Sequence, residues 1–143
     1  MTKFTLVTLN MEHGNKNPYE GRSRGNLLCQ SNPDVIFIQE SCPSRIILDK
    51  HYQLLNFYNI NNSYKMDQSE RMDIYINSES SWKLHHQFQI DNLPQKSPRQ
   101  SKVIILKNNL TQRQIILANV HLVGGRYDEN DNLGGMLKLE LSE

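Results

Sequence analysis

Apolar residues along this chain fall mostly in short runs bounded by glycine, proline and asparagine, a spacing that predicts strands more often than long helices. The densest run is Val35-Ile36-Phe37-Ile38, entered through Asn32-Pro33-Asp34 and left through Gln39-Glu40. It lacks the polar alternation of a one-sided strand, so it predicts a strand over 35–39 buried on both faces. Phe4 to Leu9 predicts an earlier strand that ends in Asn10. Residues 11–20 carry the Gly, Asn and Pro load of a loop. Residues 21–32 suit a short helix with Leu27 and Leu28 inward and Arg22, Arg24 and Gln30 outward. Asn32-Pro33 stops that helix, because a residue before proline is pushed out of the helical region. If the two strands are parallel, the crossover is right-handed and Asn10 and Glu40 leave the sheet at the same C-terminal edge.

Further on, 43–49 reads as a helical turn and Tyr52 to Ile60 as an exposed strand. Glu70 to Asn77 sets Met72, Ile74 and Ile76 against Arg71, Asp73 and Tyr75, the alternation of a half-buried strand. Trp82 to Asp91, Val103 to Lys107 and Gln114 to Leu122 predict three more strands. A loop over 92–100 separates the first two, and a polar turn at Asn108-Asn109 joins the last two. Met136, Leu137, Leu139 and Leu141 suggest a closing helix, whose start is weakened by Gly134-Gly135. The expectation is an α/β fold: a mixed β-sheet with flanking helices, parallel at one end and antiparallel elsewhere.

Composition narrows the class without choosing a function. The 143 residues suffice for one domain with a core, and 37% hydrophobic against 22% charged residues describe a globular chain. A net charge of +1 neither argues for nor excludes nucleic acid. Cys29 and Cys42 match neither a zinc spacing nor a disulfide framework, which points to a reducing compartment. With no signal-peptide pattern and no apolar run long enough to span a bilayer, the expectation is an intracellular protein without a membrane span. The acceptor patterns Asn61-Asn62-Ser63 and Asn109-Leu110-Thr111 then read as chance matches. His13 and His85-His86 lack ligand partners at a metal-binding spacing and read as ordinary surface or strand residues.

The candidate chemistry lies where strands end. Asn10, Glu40 and His121 each close an apolar strand, and open α/β sheets place ligands at such an edge. A carboxylate and an amide offer the oxygen ligands of a hard divalent cation, and an imidazole can bond a phosphoryl oxygen or move a proton. Taken singly, each has a plainer reading: Glu40 as the first solvated residue after a core strand, His121 as a capped surface residue.

Three blocks, Val7-Thr8-Leu9-Asn10, Pro33-Asp34-Val35-Ile36-Phe37-Ile38-Gln39-Glu40 and Ala118-Asn119-Val120-His121-Leu122, resemble in order and rough spacing the endonuclease/exonuclease/phosphatase superfamily. That superfamily includes deoxyribonuclease I-like nucleases, apurinic-site endonucleases, deadenylases, sphingomyelinases and inositol-polyphosphate 5-phosphatases. The resemblance implies the first half of a two-sheet, deoxyribonuclease I-like four-layer sandwich. It implies a Mg²⁺ (or Mn²⁺) dependent hydrolase of phosphate esters, with Glu40 as the metal-binding glutamate, Asn10 supporting that metal and His121 contacting the scissile phosphate. Gly124-Gly125-Arg126 after the histidine favours the nuclease branch and a nucleic-acid substrate. Arg126 reads equally as a phosphate contact or a surface arginine. Arg99 or Lys102, just before a strand, reads as a phosphate contact or as part of a solvated basic loop.

The family completes its site with a later Asp-x-Asn and a C-terminal Ser-Asp-His. Asp128-Glu129-Asn130 has the first spelling but follows the histidine strand directly, so it reads as surface loop. The expectation is therefore one partial domain over 1–143 that lacks the C-terminal half and is inactive alone. The alternative is a non-catalytic half-domain or interaction module. A single sheet with its helices would leave an inner apolar face uncovered, to be met by a partner chain or by self-association. An unrelated nucleotide-binding α/β protein is disfavoured, because no glycine-rich phosphate loop follows the first strand.

Overall fold

A computed structural model describes residues 3–11, 18–42, 46–57, 71–91 and 100–121. Strand β1 (Leu6–Asn10) leads through helix α1 (Pro18–Cys29) to β2 (Val35–Gln39), followed by β3 (Tyr52–Leu54) and β4 (Met72–Asn77). These strands make one sheet in the order β1-β2-β4-β3. β1 pairs parallel with β2, Leu6 opposite Val35 and Asn10 opposite Gln39, while β2–β4 and β3–β4 are antiparallel. Then β5 (Trp82–Asp91), β6 (Gln100–Asn108) and β7 (Gln114–Asn119) form a separate antiparallel sheet.

The strand–helix–strand start, the parallel pairing and the mixed first sheet match the sequence reading. The helix is placed earlier than expected, because Pro18 opens it: proline's fixed φ suits a first turn and its missing N–H is not needed there. It ends at Cys29, whose carbonyl accepts from the N–H of Asn32 (2.8 Å), and Asn32 takes a left-handed φ of 45°. Leu28 is buried, but Leu27 is 71% exposed, a correction to its expected inward position. The face turned to the sheet runs through Gly25 and Leu28, and Gly25 lies directly on the Ile47 carbonyl.

Two apolar layers hold the fold. Ile36, Ile38 and Tyr75 pack with Leu28, Ile46 and Tyr52 on the helix side of the first sheet. On its other side Val35, Phe37, Ile74 and Ile76 pack against Trp82, Ile104 and Leu106 of the second sheet. β2 thus has apolar neighbours on both faces, as its unbroken run predicts. β4 is also buried throughout, not half-buried. It lies between β2 and β3, and Asp73 and Tyr75, on the face expected to be solvated, are covered as well.

Other boundaries shift. The 52–60 strand is limited to Tyr52–Leu54 at the sheet edge, with Tyr52 buried, and 58–60 lies outside the described residues. Residues 46–49 are irregular, not a helical turn. β6 begins at Gln100, so Lys102 belongs to a strand rather than to the expected loop. The closing helix lies outside the described residues.

The uncovered inner face is also corrected. The second sheet covers it within the chain, so that face offers no room for a partner or a second copy. Of the exposed apolar side chains, Phe88, Ile90 and Ile116 stand on the opposite face of the second sheet, alternating with inward neighbours. Among the described residues, no helix is long and apolar enough to cross a membrane.

Candidate active site at the sheet edge

β1 and β2 run parallel, so Asn10 and Glu40 emerge side by side at their C-terminal edge. The Met11 N–H extends the ladder one residue further by donating to the Gln39 carbonyl (2.9 Å). β7 arrives at the same edge from the second sheet and ends in Asn119. Two residues later, His121 Nε2 lies 3.3 Å from Glu40 Oε1, with the two side chains only 15% and 13% exposed. All three sequence-predicted strand-end residues therefore belong to one edge. Arg99 and Arg126 lie outside the described residues.

Glu40 stands in a conformation that a side chain rarely adopts, with φ 49°, a backbone state that costs roughly 1–3 kcal/mol and needs support from its surroundings. That support comes from both neighbours. The N–H of Ser41 donates to the Arg71 carbonyl (2.9 Å), and its hydroxyl donates to Asp73 Oδ2. Arg71 Nε donates to both Asp73 oxygens (3.2 and 3.1 Å), so the buried carboxylate carries two partners. On the other side, Gln39 Nε2 donates to Asn119 Oδ1 (2.6 Å). Asn119 is fully buried, and its Nδ2 donates to the carbonyls of Ile38 (3.3 Å) and Asp73 (3.0 Å).

Lys102 takes a different part from the one its sequence position suggests. It is 2% exposed, its Nζ donates to the Met72 carbonyl, and it lies 5.0 Å from the centre of the Phe57 ring. Burial pushes its ammonium down to about 8, a larger effect than the opposing attraction of Asp73. It is an internal cation bridging β6 to β4, not a group of a solvated loop.

The donor set suits a hard cation. The Glu40 carboxylate and the Asn10 amide present oxygen, and Mg²⁺ typically binds through one or two carboxylates while keeping several waters. Among the described residues, no three His, Cys, Asp or Glu side chains gather into a group able to hold a metal. A cation here would depend on Glu40, on neutral oxygen and on water. Beside Asn10, a depression of about 310 Å³ is lined by Leu9, Met11, Leu27 and Leu28, with Arg24 at its wall.

Sequence reasoning found the residues that face the edge and missed those that hold them. Asp73, Ser41, Arg71 and Lys102 were not singled out as supports, and Asn119 figured only within a block. One signal was present: a carboxylate at position 73 inside the run Met72 to Ile76 must be paired if that strand is buried.

No protein-family model matches this sequence, and no curated protein matches it. Solved structures do. The chain is similar to D. rerio TDP2 complexed with a single-strand DNA product, with TM-score 0.58 and 15% identity over 80% of this chain and 44% of that one. It is similar also to a humanized D. rerio TDP2 carrying 14 mutations, with TM-score 0.58 and 18% identity over 80% of this chain and 45% of the other. TDP2 is a member of the endonuclease/exonuclease/phosphatase superfamily. At the level of the fold, the chain is a partial deoxyribonuclease I-like α/β domain. It spans less than half the length of these two structures.

Proposed function

We propose that this edge is the metal- and phosphate-holding part of a phosphate-ester hydrolase acting on nucleic acid, with Mg²⁺ or Mn²⁺ as its ion. The observation that carries the reading is the 3.3 Å contact between Glu40 and His121, residues that follow strands of two different sheets. A strand-end carboxylate with no further task would be expected to face solvent rather than share a half-enclosed edge with an imidazole. The nucleic-acid preference draws support from the fold shared with TDP2, which has been solved with single-stranded DNA.

In this reading, Glu40 binds the ion and Asn10 supports it through its amide oxygen, directly or through water. The ion would supply charge neutralisation at the phosphoryl group. His121 turns its Nε2–H from Glu40 to a non-bridging phosphate oxygen, where negative charge accumulates as the ester bond breaks. The Ser41, Asp73 and Asn119 bonds fix Glu40 and the end of β7 in advance, so little reorganisation accompanies binding. The depression beside Asn10 gives a neighbouring part of the substrate an apolar floor with a guanidinium at its wall. Residues 1–143 then act as one partial domain of the superfamily type.

The test is Mn²⁺ binding to the purified chain by calorimetry, alongside Mg²⁺-dependent cleavage of short single-stranded DNA. The expected result is one saturable ion site that Glu40→Gln removes, with any cleavage lost in the same variant. Absence of divalent-ion binding by the folded wild-type chain would overturn the proposal.

A further inference from the structure

Asn119 has no place among the groups that would touch ion or phosphate, yet like Ser41 it is completely enclosed at this edge. It is fully buried and uses both ends of its amide. Nδ2 donates to Ile38 on β2 and to the Asp73 carbonyl on β4, while Oδ1 accepts from Gln39. The first and last of these partners lie within two residues of Glu40 in sequence. The second belongs to the residue whose carboxylate holds Ser41 on the other side of Glu40. Asn119 itself stands two residues before His121, the partner of Glu40.

We infer that Asn119 is a positioning residue: it pins the end of β7 to the backbones of β2 and β4 and so sets His121 against Glu40. β7 belongs to a different sheet from β2 and β4, so no backbone ladder joins it directly to them at this edge. The apolar packing between the sheets is directionless and tolerates small slides. A planar amide with three bonds to two strands does not. Lys102, paired with Asn119 in the β6–β7 ladder, ties the same sheets through the Met72 carbonyl of β4 but makes no bond to β2 beside Glu40. The inference rests on the functional reading only where metal and phosphate enter; the geometric claim stands apart from them.

The experiment reads the contact itself. In the wild-type background, Glu40→Gln is expected to shift the His121 ring signals in a proton–carbon NMR spectrum, with His85 and His86 on β5 as internal references. In the Asn119→Asp background, which keeps the size but removes the two donors, the same Glu40→Gln change is expected to leave His121 unshifted. Gln39→Leu removes only the bond to Oδ1, and a reduced shift is expected; this variant carries the test where Asn119→Asp does not fold. Gly25→Ala strains the packing of α1 without touching the amide, so its coupling is expected to equal that of the wild type, which separates positioning from general loss of stability. An undiminished shift in Asn119→Asp or, where that variant does not fold, in Gln39→Leu would overturn the inference. Mn²⁺ titration of the wild type keeps the two proposals apart. Coupling that depends on Asn119 without ion binding leaves the positioning role standing and removes the metal role. Ion binding with coupling indifferent to Asn119 does the reverse. If both hold and the chain cleaves DNA, Asn119→Asp should lower the rate on the order of 10²-fold, the scale of an ångström's misplacement of a reacting group.

Discussion

Replacing Lys102 by methionine should stabilise the protein at neutral pH, by an amount that fades as the solution is made alkaline. Lys102 is 2% exposed, and burial brings its ammonium from 10.5 down to about 8. Between those values the unfolded chain holds the proton more tightly than the folded one, so wild-type stability rises with pH. The increment is fully present above 10.5 and lost as pH falls through about 8. At about 1.36 kcal/mol per pKa unit, it amounts to roughly 3 kcal/mol, of which about 2.5 is reached by pH 10. Methionine has similar length and no charge, so the variant lacks this penalty at pH 7 but leaves the buried Met72 carbonyl without its donor, at a cost of about 1–3 kcal/mol. The net gain at pH 7 is therefore small, about 1 kcal/mol. The informative quantity is the difference between the two proteins, since tyrosines and other alkaline titrations act on both. Urea denaturation at intervals from pH 7 to 10 should show wild type gaining about 2.5 kcal/mol on the variant. Parallel stability curves over that interval would mean that Lys102 is neither charged nor desolvated as described.

Three further outcomes follow from the geometry. Glu40→Gly should be more stable than Glu40→Ala by about 1 kcal/mol in urea titrations, because φ 49° is free to glycine and strained for alanine; equal stabilities would remove the backbone argument. Ser41→Ala should cost about 1–3 kcal/mol in thermal denaturation, since it leaves the buried Asp73 carboxylate short of a donor. Gly25→Ala should cost at least about 2 kcal/mol by denaturant titration, as the added Cβ would come within 1.7 Å of the Ile47 carbonyl oxygen; tolerance would mean that α1 can lift away from the 46–49 segment.

Much of the edge was legible in the chain because its logic is local. The unbroken run over 35–38 marks a strand covered on both faces, and the polar residue that ends such a run must come out at a sheet edge. The same rule places Asn10 and His121. Separation into two sheets was not legible, because hairpin strands look alike whether they extend one sheet or begin another. β4 shows why: its alternation is genuine, but burial of the polar phase depends on Arg71, Ser41 and Asp73 meeting in space. Leu27 erred for a related reason: adjacent leucines on a helix point about 100° apart and can share a wide apolar face. But α1 lies on the 46–49 segment at Gly25, which turns Leu28 inward and leaves Leu27 out.

The bonds of Asn119 join residues 80, 81 and 46 positions apart in sequence. Loops of that length cost more entropy to close than the local hairpins or the strand–helix–strand unit, so their closure is expected late in folding. The first sheet can thus acquire its strands and much of its core while Glu40 still lacks His121. A chain emerging from synthesis would pass through well-structured states in which the edge is incomplete. Contact between Glu40 and His121 is then a late event, reached only after the last described strand has docked.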